Sequence, residues 1–155
     1  MAIAEILTED SILLDLDVTG KAAVLAALVA RAAAGGRLSA PEETSRILVE
    51  REARQSTLVS RDLALPHARV PGLGSSLCVW ARLAHPVPWD EETGARAQFV
   101  VLLLSPLADQ GEHLRLLAAL ARLLKDPRTW ESLRAAPSPA DLLAHVRRFE
   151  SARVL

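Results

Sequence analysis

With 155 residues, 50% hydrophobic and 24% charged, the chain has the size and balance of one folded domain and is not disordered. Eighteen basic residues against 19 acidic ones leave a net charge of -1, which excludes the cationic footprint of a nucleic-acid or anionic-membrane binder. A single cysteine, Cys78, excludes an internal disulfide framework and a multi-thiolate metal site, and no apolar stretch approaches the ~20 residues of a membrane span.

The N-terminal MAIAEILTED lacks the basic start and apolar block of a secretory signal, so a cytoplasmic location without direct membrane insertion is expected. Residues 1–20 carry Glu5, Glu9, Asp10, Asp15 and Asp17 and no lysine or arginine, a bias that reads as a solvated face. Ser11–Leu16 (SILLDL) is short and apolar and predicts a strand. Thr19 is placed to cap a helix running to about Ala34. Val24, Leu25, Leu28 and Val29 form its buried stripe, and Gly35-Gly36 stops it. Ser39 starts the next helix, with Glu42 three residues on as in a capping box and Pro41 in the tolerant first turn. Thr44, Ile47, Leu48 and Arg51 share one face of that helix. Arg51 thus ends an otherwise apolar stripe, an unusual place for a charge unless an anion meets it.

From about residue 56 the period changes. Leu63–Pro66 is a short apolar run closed by a proline, and His67 follows at a strand-to-loop corner. Pro71, Gly72 and Gly74 mark a turn. Leu77–Leu83 reads as a strand and residues 84–96 as a loop holding Pro86, Pro88 and Gly94. Phe99–Leu104 (FVVLLL) reads as a strand buried on both faces, ended by Ser105-Pro106. After Asp109-Gln110-Gly111 a helix runs from about Glu112 to Lys125. Its leucines and alanines spread over more than one face, so it is expected to be largely buried. Asp126-Pro127 stops it and starts a short helix anchored by Trp130 and Leu133. Ser138-Pro139-Ala140-Asp141 then caps a last helix to about Phe149. This order predicts an α/β fold, a mixed β-sheet sandwiched by helices on both faces, in a single domain over 1–155.

Of the four histidines, His85 and His145 read as ordinary surface or half-buried residues. His67 is held beside a proline, and His113 opens a helix whose first-turn N–H groups are free to meet an anion. One metal-free chemistry suits His67, His113 and Arg51 together: transfer of a phosphoryl group to a histidine nitrogen. It needs an accessible neutral imidazole of fixed tautomer, a permanent positive charge beside the phosphoryl oxygens, and a second donor. The alternative is three separate residues with capping or packing roles. Trp80 and Trp89 are read as core packing and a loop anchor rather than as a ligand pocket. Cys78 has no basic neighbour and reads as a small buried hydrophobe. No serine sits in a G-x-S-x-G elbow, and no carboxylate or thiolate motif accompanies His67 and His113. Neither a serine hydrolase nor a metal site is expected.

The segments REARQSTLVSRDLALPHAR (Arg51–Arg69) and FVVLLLSPLADQGEHLRLLAALARLLKDP (Phe99–Pro127) resemble the IIA domains of the bacterial phosphotransferase system (PTS). The match is to the EIIA type-2 class, fructose/mannitol, which includes nitrogen-related regulatory members. The shared order is an Arg-Glu pair, a Ser-Thr, an apolar-Pro-His, then a strand, a loop and a His-Leu helix. The resemblance covers about residues 5–150. It implies that His67 is the phosphorylated histidine, through Nε2, that His113 is the second active-site histidine, and that Arg51 is the active-site arginine. Ser56 and Thr57 fall on the phosphate pocket, and no cofactor is implied. The implied partners are an HPr-like phosphocarrier as donor and a IIB domain as acceptor. A regulatory interaction module is the alternative: phosphorylation of His67 then controls binding to a transporter, kinase or antiporter, even with phosphotransfer lost. Ser60, Arg61 and Asp62 stand where the family usually has glycines, so this loop is expected to differ in conformation; Ala68 replaces the glycine after the histidine. Arg61 is placed to favour a phosphate or an acidic partner, or to pair with Asp62 at the surface.

Overall fold

The structure is a computed structural model and describes residues 2–60 and 62–152. Its elements are α1 (Ile3–Ile6), β1 (Ile12–Leu16), α2 (Lys21–Ala33), α3 (Pro41–Arg54), β2 (Leu58–Ser60), β3 (Leu63–Ala64), β4 (His67–Val70), β5 (Leu77–Pro88), β6 (Arg96–Pro106), α4 (Gln110–Lys125), α5 (Pro127–Ala135) and α6 (Pro139–Ala152). The strands form one mixed sheet in the order β1-β5-β6-β3-β2, with β4 also paired to β6. β1 runs parallel to β5, β5 and β6 form an antiparallel hairpin, and β3 and β4 both run parallel to β6. β3 and β4 are two halves of one strand in unbroken register, Leu63 opposite Phe99 and His67 opposite Leu103. Pro66 makes the break because it has no N–H to donate; its carbonyl still accepts the Leu103 N–H at 3.0 Å.

Side chains alternate along β5 and β6 between two cores. Val79, Ala81, Val100 and Leu102 join the core under α2 and α3. Cys78, Trp80, Phe99, Val101 and Leu103 join the core with residues of α1, α4, α5 and α6. The FVVLLL run is apolar at every position because helices cover both faces. The α/β sandwich expected from the element order is the one observed. Trp80 and Trp89 are 0% and 1% exposed, and Cys78 is buried, its thiol pushed up to about 12 chiefly by desolvation. Ser138 accepts the Asp141 N–H, the cap expected there, and at the expected helix start Asp126 serves as the cap by accepting the Thr129 N–H.

Other local expectations are corrected. Gly20, at φ 91, and Ala40 stand at the N-caps of α2 and α3, so neither Thr19 nor Ser39 caps; Pro41 does open α3. A positive φ at the α2 entry is open to glycine and closed to threonine. The stretch read as a loop over 84–96 is mostly strand: β5 continues to Pro88 and β6 starts at Arg96. Its prolines are tolerated because the β1 register ends at Leu83, leaving that side of β5 unpaired, and because the β6 register shifts between Arg82 and Val87. α4 is buried along one stripe, His113, Leu116, Leu120, Leu123 and Leu124, while Leu114 is 56% exposed. The acidic first segment also hides a short helix, α1. Ile3 is buried there, and Glu150 of α6 accepts the Ile3 and Ala4 N–H groups, both at 2.8 Å.

Candidate functional site

His67 opens β4 rather than ending in a loop, and its imidazole is half-buried. Its Nδ1 lies 2.8 Å from the Leu65 carbonyl. A carbonyl only accepts, so Nδ1 carries the proton and Nε2 keeps its lone pair. Along β4 alternate residues share a face. Ala68 and Val70 pack in the α2/α3 core, which puts His67 and Arg69 on the α4 side.

His113 comes from that side. β6 ends at Pro106, and the Asp109 carboxylate then caps α4 by accepting the Glu112 N–H at 2.9 Å. The helix therefore starts at Gln110, not Glu112. The Glu112 and His113 N–H groups are taken by Asp109, so they are not free for an anion as expected. The ring of His113 lies 5.6 Å from that of His67, centroid to centroid, tilted by 42°. His113 is 7% exposed, and its Nδ1 lies 2.8 Å from the hydroxyl of Ser105, itself 0% exposed. Burial, then the charges of His67 and Arg69, hold the His113 pKa below its ordinary value. Arg69 Nη1 is fixed by the Leu107 carbonyl at 2.9 Å.

The other sequence-derived site residues lie around the α3–β2 corner. Arg51, near the C-terminal end of α3, donates to the Gln55 carbonyl at 3.2 Å; among the described residues neither imidazole hydrogen-bonds to it. The buried stripe of α3 is Thr44, Leu48 and Glu52, so it ends on Glu52, with Arg51 half-buried beside it. The Glu52 carboxylate accepts from Lys21 Nζ at 2.8 Å, from the Thr57 N–H at 3.1 Å and from the Thr57 hydroxyl. Thr57 is 5% exposed, and its carbonyl accepts the Leu65 N–H at 3.0 Å. Ser56 turns the chain, its hydroxyl accepting the Leu58 N–H at 3.2 Å. Arg61 lies outside the described residues; Asp62 pairs with Arg134 at 2.9 Å. His85 faces Asp17 at 4.0 Å and His145 meets Arg148 at 3.3 Å, both away from the pair.

Four contributors escaped the sequence reading. Arg69 had a signal, its two-residue spacing from His67 on a strand. Ser105 had one as well, a hydroxyl closing an apolar strand. The Leu65 carbonyl and Lys21 had none, since both act through tertiary placement. A cavity of about 760 Å³ lies between α2, α3 and the tip of the β5–β6 hairpin, lined by residues that include Glu52, Ser56 and Trp89. Neither His67 nor His113 lines it.

Residues 5–148 match the family model for the phosphoenolpyruvate-dependent sugar phosphotransferase system, EIIA 2. A nitrogen regulatory protein of Bradyrhizobium diazoefficiens is 33% identical over 138 residues, covering 88% of each chain. Among solved structures, nitrogen regulatory protein IIA-Ntr from Neisseria meningitidis superposes with a TM-score of 0.84 at 27% identity, covering 93% of this chain and 98% of that one. The complex of enzyme IIAMTL and phosphorylated enzyme IIBMTL from Escherichia coli matches in fold, with a TM-score of 0.73 at 19% identity over 91% of this chain and 96% of that one.

Proposed function

The chain belongs to the EIIA 2 family of the phosphoenolpyruvate-dependent sugar phosphotransferase system, and from that premise we propose that His67 Nε2 is its transient phosphoryl acceptor. The observation that carries this is the bond from His67 Nδ1–H to the Leu65 carbonyl. It fixes the tautomer whose Nε2 lone pair is available, on a half-exposed ring 5.6 Å from a second imidazole. In the transfer the Nε2 lone pair forms an N–P bond as the N–P bond of a phosphohistidine donor breaks. The donor nitrogen leaves with the electron pair. Arg69, and Arg51 once released from the exposed Gln55 carbonyl, offset the charge of the phosphoryl oxygens; His113 is the second hydrogen-bond partner. Ser56 and Thr57 shape the neighbouring corner.

An HPr-like phosphocarrier is the donor and a IIB domain the acceptor in this reading, within a single cytoplasmic domain over 1–155. The pair sits outside the large cavity, which suits chemistry on a visiting protein better than on an enclosed small molecule. Leu107 and Leu114, 51% and 56% exposed, offer such a visitor apolar contact close to His113 in the chain. Among the described residues no helix is long and apolar enough to cross a membrane.

The similarity to nitrogen regulatory proteins favours a second use of the same site: His67 phosphorylation, adding roughly two negative charges, switches binding to a regulated transporter or kinase. The test of transfer is incubation with phosphoenolpyruvate, the first enzyme of the system and HPr. An acid-labile phosphate on His67, absent from His67→Ala, is expected. A cognate system that leaves His67 unmodified overturns the reading. Retained binding of a regulated partner by His67→Ala separates the docking role from transfer.

A further inference from the structure

We propose that Ser105 is a positioning residue that holds His113 in the Nε2–H tautomer, so that the two neighbouring imidazoles carry their protons on opposite nitrogens. This deepens the reading of His67 as acceptor and rests on it for its functional consequence. The assignment itself follows from a buried hydroxyl. Ser105 closes the apolar run of β6 at 0% exposure, and a hydroxyl there is costly unless its proton finds an acceptor. Its one hydrogen bond among the described residues is to His113 Nδ1, at 2.8 Å. Were Nδ1–H the donor, the serine proton would be buried with no acceptor. With Ser105 O–H donating, Nδ1 accepts and the imidazole proton stands on Nε2.

His67 is set the other way. The Leu65 carbonyl demands Nδ1–H and leaves Nε2 as a lone pair. The sheet register puts the two devices next to each other: Ser105 is opposite Arg69, two residues beyond the His67–Leu103 pair. One ring is thereby a nucleophile and its neighbour a hydrogen-bond donor to the phosphoryl oxygens. Two Nε2 lone pairs at this spot would instead repel those oxygens. A hydroxyl suits the position better than a carboxylate, which would pull the His113 proton onto Nδ1.

The test is nitrogen NMR of both imidazoles in the free protein at about pH 8, above the ordinary histidine range. His113 is expected to carry its proton on Nε2, with Nδ1 shifted by an accepted hydrogen bond, and His67 to carry its proton on Nδ1. In Ser105→Ala the His113 Nδ1 signal moves to the position of a free lone pair while His67 is unchanged, which also reports an intact fold. Phosphoryl transfer falls roughly tenfold, less than the hundredfold or more that follows loss of a donor itself. Ser105→Cys, a weaker donor of similar shape, falls between, and Ser105→Asp moves the His113 proton to Nδ1. A native His113 protonated on Nδ1, or a Ser105→Ala variant with unchanged Nδ1 signal and unchanged transfer, overturns the proposal. Opposite tautomers with no phosphate ever reaching His67 overturn the acceptor reading instead, and with it the consequence for transfer.

Discussion

Neutralising Glu52 tests whether the corner before His67 rests on a buried carboxylate. The Glu52 side chain is 3% exposed and that of Lys21 is 23% exposed. Glu52→Gln keeps the shape, and its amide still meets the Thr57 hydroxyl, which can accept as well as donate. What disappears is the charge felt by two N–H donors, Lys21 Nζ at 2.8 Å and Thr57 N at 3.1 Å. Charge-assisted hydrogen bonds contribute roughly 1.5–3 kcal/mol against 0.5–1.5 for neutral ones, so about 1 kcal/mol is lost at each donor and about 2 in total. The partial exposure of Lys21, which keeps its bond to the Trp89 carbonyl, holds the loss below the 3–5 kcal/mol or so of a fully buried pair. In a chain of this size that lowers Tm by roughly 4–8 °C. Urea unfolding followed by tryptophan fluorescence reads it as a lower midpoint at unchanged m. Lys21→Met and the double variant close a cycle, with a coupling of about 1 kcal/mol or more expected. A Glu52→Gln protein within about 0.5 kcal/mol of the parent at equal m refutes the reasoning.

Two further outcomes follow from other parts of the molecule. His113 has its pKa held below 6.5 in the folded state, so below that pH the unfolded chain binds a proton the native ring refuses. Its stability contribution is full above about pH 6.5 and is lost as pH falls from there through the lowered native value. Urea midpoints at about pH 7.5, 6 and 5 should fall less steeply in His113→Asn, and equal slopes for variant and parent count against the assignment. Phe99 is 2% exposed and sits edge-on to Trp80 and Trp130, at 6.0 and 5.2 Å. Phe99→Ala should cost about 3–5 kcal/mol with a change in tryptophan emission, and a loss below ~1.5 kcal/mol would show that this cluster collapses freely.

What the chain reveals in advance depends on the range of the interaction. FVVLLL and the stripe of α2 declare themselves because burial on two faces, or on one helical face, is written in consecutive residues. The caps at Asp126 and Ser138 are equally local. The long hairpin was hidden because Pro86 and Pro88 are loop signals in isolation. They become acceptable once the β1 register stops at Leu83 and one side of β5 lies unpaired, a fact of sheet order rather than of sequence. α1 was hidden for the same reason: its four residues are too few to form a helix unaided, and the capping carboxylate, Glu150, comes from the other end of the chain. At the corner before His67, the motif Arg51-Glu52 pointed to the charged pair, but the neighbour that buries is Glu52. Only the position of Lys21 on α2 decides that.

The histidine pair itself follows from a strand broken without loss of register. The Leu65 N–H is tied to the Thr57 carbonyl, but the Thr57 N–H goes to the Glu52 carboxylate rather than back to Leu65, which leaves the Leu65 carbonyl to take His67 Nδ1–H. Because β3 and β4 keep one register on β6, His67 stays on the α4 face and Arg69 comes level with Ser105. One inserted or deleted residue between Ala64 and His67 would reverse the face of every β4 side chain and turn His67 into the α2/α3 core. The short apolar run before the histidine is therefore a ruler as much as a filler. Its length sets which core receives the imidazole, and the Leu65 carbonyl within it sets which nitrogen is left to react.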